Sequence, residues 1–163
     1  MAIEGIGQPV ILQVDEEIRL RKYDGIYDFA FVWYQDEETV YLVDGVKTPY
    51  SQDTLKRMYE YLNDHGELYF IEVMENGVYK PIGDVTFWRE DMPIVIGEKA
   101  YRGKGIARKV ISRLVERGRK LGYDCLYVNE IYTYNIASRK CFESLGFEVY
   151  EQTDKGNRFR LKI

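Results

Sequence analysis

The segment from residue 94 to residue 122 constrains the fold of this chain more than any other. It is IVIGEKAYRGKGIARKVISRLVERGRKLG: an apolar strand, a turn with Gly103 and Gly105, and a stretch whose apolar residues recur every three or four positions. Glycines let the backbone approach a ligand closely, and the first amides of a helix lack partners within the helix. The segment therefore predicts a strand, a turn and a helix whose N-terminus can bind an anion.

The charges at this turn favour a phosphate-bearing ligand. Arg102 and Lys104 place two cations beside the predicted helix N-terminus, so a pyrophosphate is a natural ligand. The spacing fits neither of the common nucleotide-binding patterns, GxGxxG and GxxxxGK[ST], because Ala107 and Arg108 follow the second glycine. From these residues alone, a turn that merely connects a strand to a helix remains the alternative.

Length and composition limit the classes of protein to consider. The 163 residues fit one domain, 1–163, and 45% hydrophobic residues, with 15 Tyr, 7 Phe and 2 Trp, suffice for its core. No stretch approaches the roughly 20 apolar residues that span a bilayer, and the first ten residues lack a signal-peptide pattern, so we expect a cytoplasmic protein without a membrane partner. A net charge of −4 without a basic run argues against nucleic acid as a partner and favours cationic substrates.

The periodicities along the chain predict a mixed α/β fold. Strands are expected at 10–14, 18–22, 68–73, 78–88, 93–97, 125–131, 147–151 and 158–163. Helices are expected at 26–34, from Ser51 to about His65, from 106 to 121 and from 135 to 145. The Asn76-Gly77 pair predicts a tight hairpin. The resulting order, ββ, helices, βββ, helix, β, helix, ββ, predicts a mixed sheet with helices on its faces.

Motifs in the second half of the chain resemble a known enzyme family. Arg102-x-x-Gly105-x-Ala107 resembles the coenzyme A motif of the GNAT (GCN5-related) N-acetyltransferases, which is Arg or Gln, x, x, Gly, x, Gly or Ala. Downstream, NIAS at 135–138 and LGF at 145–147 resemble the family's next helix and the strand after it. The resemblance covers about residues 8–163. Within the family the chain looks closest to the branch of ribosomal-protein alanine, aminoglycoside and polyamine acetyltransferases.

The resemblance carries expectations for fold and activity. It implies a central, mostly antiparallel sheet with splayed middle strands and helices on both faces. It also implies an enzyme that moves acetyl from acetyl-CoA, without a metal, to a primary amine that attacks directly. The amine would be a protein N-terminus, a polyamine or an aminoglycoside-like small molecule, and a homodimer is possible in this family. The alternative is a non-catalytic acyl-CoA-binding or sensing domain of the same fold.

The resemblance also implies where the coenzyme lies. The pyrophosphate would contact the backbone amides of 102–107, the acetyl carbonyl and pantetheine would follow the strand at 95–97, and a backbone N–H there would polarise the carbonyl. Asn135 would contact the pantetheine arm, or would instead cap its helix. The residues implied are Val95, Ile96, Gly97, Arg102, Gly103, Lys104, Gly105, Ile106, Ala107 and Asn135.

Two residues are predicted to be catalytic, Glu130 and Tyr134. An alkyl ammonium, with a pKa near about 10.4, must lose a proton before its nitrogen can attack. Glu130 matches the glutamate proposed as base in the ribosomal alanine acetyltransferases, although it would also attract a cation or simply be solvated. The tyrosine that often protonates the departing thiolate is replaced by Phe142, seven residues after Asn135. Its role is then vacant, or is filled by Tyr132, Tyr134 or water.

Residues outside the motifs give weaker signals. The single histidine, His65, ends an early helix far from the motif and is expected at the surface. Cys125 and Cys141 have the number and spacing of neither a disulfide framework nor a zinc site, so we expect reduced thiols packed in the core. The sequence also predicts an aromatic and acidic wall suited to an ammonium group, formed by Trp33, Tyr34, Trp88, Glu90 and Asp91. The alternative is that the aromatic residues pack in the core and the acidic residues are solvated.

Overall fold

Two antiparallel sheets form the framework of the computed structural model, which describes residues 2–163. The strands are β1 (Ile11–Gln13), β2 (Ile18–Lys22), β3 (Glu67–Glu75), β4 (Val78–Phe87), β5 (Ile94–Ile96), β6 (Cys125–Tyr132), β7 (Glu148–Gln152) and β8 (Gly156–Lys162). The helices are α1 (Glu37–Asp44), α2 (Gln52–His65), α3 (Ile106–Lys120) and α4 (Ile136–Ser144), with 3-10 segments at Asp28–Gln35 and Lys99–Tyr101. The sheet orders β1-β2-β3-β4-β5 and β6-β8-β7 confirm the predicted mixed α/β fold.

The two sheets separate between β5 and β6, which are edge strands of different sheets. Within residues 2–163, backbone N–H groups of β6 bond to the other sheet only at the segment just before β5. The backbone N–H of Tyr127 donates to the carbonyl of Arg89, and that of Asn129 donates to Asp91 Oδ1, both over 3.0 Å. Beyond this point β5 and β6 line opposite walls of a cleft. The splayed middle strands expected from the resemblance are therefore present.

One helix was not predicted from the sequence. A helix was expected at 26–34, and the structure has a 3-10 helix at Asp28–Gln35 followed by α1. Asp36 caps α1, because its Oδ2 accepts from both the backbone N–H and the hydroxyl of Thr39, at 3.1 and 2.9 Å. Gly45 ends the helix in the left-handed region at φ 74°. Its eight residues carry too short a pattern to be recognised, but the cap residues at both ends were a usable signal.

A buried ion pair fixes α3 against the first sheet. Glu67, only 1% exposed, accepts from Arg117 Nε and Nη2 at 2.7 Å each, and Tyr69 donates its hydroxyl to the same carboxylate. Leaving a buried charge without its partner typically costs about 3–5 kcal/mol. The pair therefore fixes the position of α3 along the sheet, and with it the position of the helix N-terminus at Ile106.

A second buried carboxylate connects the early helices to the strand beside β5. Asp84 on β4 lies opposite Val95 on β5 and is 3% exposed. Its Oδ2 accepts from the hydroxyls of Tyr34 and Tyr59 at 2.6 and 2.8 Å. Burial raises the pKa of Asp84 to about 6, although the two hydroxyl bonds act in the opposite direction. This network holds the 3-10 helix and α2 next to the cleft.

Replacing Asp84 with Asn should change how stability depends on pH. The folded-state pKa of about 6 lies above the ordinary 3.8, so the folded protein binds the proton more tightly and loses stability as pH rises through this window. The Asn variant has no carboxyl group to titrate at this position, so it does not lose stability in this way. Its free energy of unfolding, relative to wild type, should rise by about 2–3 kcal/mol from pH 4 to pH 7 in urea titrations. The exposed Asp154→Asn serves as control; parallel curves for Asp84→Asn and wild type would contradict the assignment.

Candidate active site

A cleft of about 660 Å³ lies between β5 and β6 and continues to the start of α3 and one face of α4. Most of the residues predicted to hold the coenzyme line it: Val95, Ile96, Arg102, Gly103, Gly105, Ile106, Ala107 and Asn135. Gly97 and Lys104 do not belong to its lining. Residues of β5 and β6, which are at least 29 positions apart in sequence, thus face one another across a single cavity.

The register of β5 decides which of its backbone groups face the cleft. The N–H of Gly97 donates to the carbonyl of Ile82 at 2.8 Å, and Val95 is paired with Asp84. Because backbone groups of a strand alternate between its two edges, Ile94 and Ile96 direct theirs away from β4 and toward the cleft. Of the three predicted residues 95–97, Ile96 is therefore the one whose N–H faces the cleft.

The structure therefore corrects the assignment of Gly97. Its N–H is already bonded within the sheet, and a Cβ at this position would lie 2.2 Å from Cγ of Trp33. Glycine is required here because the Trp33 ring, which is 2% exposed, packs directly on the backbone. The residue packs beside the cleft and is not part of its lining.

The turn before α3 has the backbone geometry of an anion site. Gly103 and Gly105 have φ of 73° and 78°, in the left-handed region that favours glycine. Gly105 is the N-cap of α3 and provides no side chain to bond the first amides of the helix. These amides are therefore free to bind a phosphate group. Lys104 lies to one side, with its ammonium 5.5 Å from the ring centre of Tyr101.

Arg102 fixes this turn in place. Its Nε donates to the carbonyl of Ile96 at 2.8 Å, and its Nη2 donates to the hydroxyl of Thr39 at 2.9 Å. Nearby, Lys99 forms an ion pair with Asp36 at 3.0 Å. The motif arginine thus connects the end of β5, the turn and the N-terminus of α1.

The residues at the start of α4 have different roles. Asn135 Oδ1 accepts from the backbone N–H of Ser138 at 3.2 Å, so the side chain caps the helix while it lines the cleft. Phe142 also lines the cleft and is 1% exposed. The hydroxyl of Tyr134 donates to the carbonyl of Tyr41 at 2.9 Å, and the two rings stack. Tyr134, predicted as catalytic, is therefore occupied in packing α1 and lies outside the cleft lining.

Two carboxylates face the cleft. Glu130, on β6, is exposed, and its Oε2 accepts from the hydroxyl of Thr153. Asp91 lies just before β5, and its Oδ1 accepts from the backbone N–H groups of Met92 and Asn129, both at 3.0 Å. Burial raises the pKa of Asp91. Sequence reasoning placed Asp91 only in a substrate wall, because its contact with β6 arises from the tertiary fold.

A second cavity, of about 450 Å³, adjoins the cleft. The two cavities share Val43, Asp91, Pro93 and Asn129. Of the predicted wall, the second cavity includes Trp88, Glu90 and Asp91. Trp33 and Tyr34 are 2% and 0% exposed and belong to the core cluster beneath the early helices, so that part of the wall is wrong. His65 is exposed, as expected, and lies at the rim of this cavity with its ring stacked on Tyr61.

The structure also describes the two cysteines and bears on metal binding and membrane spans. Cys125 is a buried free thiol, and Cys141 is a half-buried free thiol that lines the cleft, where burial raises its pKa. Within residues 2–163, no group of three or more His, Cys, Asp or Glu side chains is arranged to hold a metal ion. In the same part of the chain, no helix has the length and apolar character needed to cross a membrane.

Comparisons with known proteins agree with this geometry. The sequence matches the acetyltransferase (GNAT) family over residues 28–147. It is 42% identical over 53 residues to the L-methionine sulfoximine/L-methionine sulfone acetyltransferase of Salmonella typhimurium strain LT2. That match spans 32% of this chain and only 30% of the relative.

Solved structures have the same fold. A domain from Methanocaldococcus jannaschii DSM 2661 is 21% identical, with a TM-score of 0.81 over 91% of this chain and 100% of that domain. The aminoglycoside acetyltransferase AAC(6')-Ib, in complex with coenzyme A, is 16% identical, with a TM-score of 0.71 over 89% of this chain and 94% of that protein. The family match covers well over half of the chain and confirms the resemblance seen in the motifs: this chain belongs to the acetyltransferase (GNAT) family of acetyl-CoA-dependent N-acetyltransferases.

Proposed function

We propose that this chain, as a single domain of residues 1–163, transfers acetyl from acetyl-CoA to a primary amine. In this reaction the amine nitrogen bonds to the acetyl carbon as the carbon–sulfur bond breaks. The ammonium proton passes to a base, and the leaving thiolate takes up a proton. The observation that carries the proposal is the cleft between β5 and β6, which extends from a helix N-terminus to a partly buried carboxylate.

The α3 end of the cleft suits the phosphates of the coenzyme. The first amides of α3, with no side-chain cap, would bind the pyrophosphate, as the motif at 102–107 implies. Arg108 and Lys140 also line the cleft and supply positive charge. Lys104 would contribute charge from outside the lining. These groups orient the coenzyme so that its thioester extends along β5.

The middle of the cleft suits the pantetheine arm and the thioester. An extended amide chain beside β5 would meet the backbone groups of Ile94 and Ile96, the edge that β6 leaves unpaired. We assign the Ile96 N–H to the acetyl carbonyl, in place of Gly97. Asn135 bonds its helix through Oδ1, which leaves Nδ2 to donate to a pantetheine carbonyl.

Deprotonation of the amine is assigned to Asp91. This carboxylate lies where the two cavities meet, so an amine entering from the second cavity passes it before reaching the thioester. A raised pKa makes the ionised carboxylate a stronger base near neutral pH. Glu130, the base predicted from sequence, faces the same cleft from β6. We retain it as the second carboxylate of the site, which attracts the ammonium group.

Protonation of the thiolate is assigned to Tyr132. Phe142 has no hydroxyl, and the Tyr134 hydroxyl is bonded to α1. Tyr132 is the tyrosine of β6 that lines the cleft, and burial raises its pKa, so the hydroxyl keeps its proton at neutral pH. Replacement of the usual helix tyrosine by Phe142 also supports the alternative function, an acyl-CoA-binding module without turnover.

Acetyl-CoA should raise the melting temperature, and an amine panel should release free thiol from it. The panel contains polyamines, aminoglycosides, amino acids and peptides with varied N-termini, and thiol is measured with a chromogenic disulfide. Stabilisation by ligand follows from binding to the folded state alone. Stabilisation without thiol release from any amine would support the binding module and overturn the enzyme.

Asp91→Asn should lower kcat by about 10²-fold or more, since a positioned base typically contributes about 10²–10⁴. The Asn side chain keeps an oxygen for the N–H groups of Met92 and Asn129. In wild type, activity falls as pH drops through the raised pKa of Asp91, because the protonated acid cannot accept a proton; the variant should lack this acidic limb. The pH dependence of thiol release measures both effects.

Glu130→Gln provides the comparison that decides between the two carboxylates. We expect it mainly to raise KM for a cationic amine, by about threefold to tenfold, while the acidic limb persists. Asp154→Asn, an exposed change in the β7–β8 turn, controls for loss of charge. If Glu130→Gln removes the acidic limb and Asp91→Asn keeps it, Glu130 is the base.

A further inference from the structure

The position of the second cavity makes it the entry side for the acceptor, given the proposed function. It meets the cleft at Asp91, Pro93 and Asn129, next to the start of β5. The α3 end of the cleft is taken by the phosphate site. An acceptor that enters through the second cavity would therefore approach the thioester from the side opposite the phosphates.

The charges in the wall of this cavity have one sign. Asp44, Glu90 and Asp91 line it, and no Arg or Lys of the described residues does so. His65 is the one lining side chain that can carry positive charge, and its Nδ1 lies 2.8 Å from the carbonyl oxygen of Tyr61. The cationic side chains that face the site all line the cleft: Arg102, Arg108 and Lys140. The cleft thus has both cations and carboxylates in its lining, whereas the second cavity has carboxylates without Arg or Lys.

Aromatic and aliphatic side chains form most of the remaining walls. Tyr50, Tyr61 and Trp88 line the cavity together with the carboxylates. The Tyr50 hydroxyl donates to Asp44 Oδ2 at 2.6 Å, which fixes the direction of that carboxylate. Aromatic faces attract cations and also pack against methylene groups. The lining thus suits a flexible chain of methylenes that ends in ammonium groups.

We propose that the acceptor is an aliphatic amine with at least one further positive charge, such as a diamine or polyamine, and not an α-amino acid. The reacting nitrogen loses its proton at Asp91, while the distal ammonium stays charged between Glu90, Asp44 and the aromatic rings. A carboxylate on the same molecule would enter a cavity lined by three carboxylates and no Arg or Lys, which is unfavourable. The second cavity thus selects among amines by the charge that the acceptor bears at the end away from its reacting nitrogen.

Three amines of equal chain length isolate this effect: n-butylamine, 1,4-diaminobutane and L-ornithine. The second adds a distal ammonium, and the third adds a carboxylate to the second. We expect kcat/KM per primary amine to be about tenfold higher for 1,4-diaminobutane than for n-butylamine, and L-ornithine to fall at least about tenfold below 1,4-diaminobutane. The preference should shrink as salt is raised from 50 to 500 mM, because exposed charges are screened.

The roles of Glu90 and Asp44 are tested by the ratio of kcat/KM for 1,4-diaminobutane to kcat/KM for n-butylamine. Glu90→Gln and Asp44→Asn should each lower the preference for 1,4-diaminobutane by about threefold, whereas Glu116→Gln, the same loss of charge on the exposed face of α3, should leave it unchanged. Equal use of the two amines, preference for L-ornithine, or no effect of Glu90→Gln would overturn the charge selection while acetyl transfer stands. Absence of thiol release with every amine tested would overturn the proposed function itself.

Discussion

The hydrogen bond from the Asn129 N–H to the Asp91 carboxylate is the interaction on which the site depends. With the neighbouring bond from Tyr127 to Arg89, it joins the two sheets where β5 and β6 begin. Two strands that are held near one end and unpaired beyond it leave a cleft between them, and each exposes a row of backbone groups to it. The cleft is thus a consequence of where pairing stops, and its unpaired edge offers bonds to an extended amide-bearing ligand.

Asp91 is also the carboxylate to which we assign the deprotonation of the amine. Asp91 must be near β6 to hold the sheets together, and this position removes water from around it and raises its pKa. Its Oδ1 accepts the two backbone N–H groups, and in the proposed reaction Oδ2 takes the substrate proton. The Arg and Lys side chains near it line the cleft beside α3 and α4, whereas the second cavity beside α2 is lined by carboxylates without Arg or Lys. In the proposed reaction, this arrangement directs an anionic coenzyme and a cationic amine to opposite sides of one thioester.

Local patterns predicted most of the fold. The Asn76-Gly77 hairpin, the amphipathic α3 and the final β7–β8 hairpin are present close to their expected positions, because turn residues and apolar periodicity act over a few neighbouring residues. The turn before α3, with Gly103 and Gly105 in the left-handed region, was predicted for the same reason. Helix α1 was missed because its eight residues are stabilised mainly by its caps and by contacts with the 3-10 helix.

What the sequence could not show depends on register and on distant contacts. That Ile96 and not Gly97 faces the cleft depends on the pairing of β5 with β4, where Ile82 accepts from both Gly97 and Glu98. The packing of Tyr134 on Tyr41 brings together residues 93 positions apart. No local pattern encodes either contact. The family resemblance predicted which residues would hold the coenzyme. It did not indicate that the N–H of Gly97 bonds within the sheet or that Tyr134 packs on α1.

Amide hydrogen exchange of β5, followed residue by residue with NMR, tests the central claim most directly. Val95 bonds to β4 through its backbone and should be protected with or without ligand, whereas the Ile96 N–H faces the cleft and should exchange rapidly in the free protein. On adding acetyl-CoA, the account predicts that protection of Ile96 and of the first amides of α3 increases, with no change in β7. Unchanged exchange at Ile96 under saturating acetyl-CoA would contradict the placement of the thioester in the cleft between the two sheets.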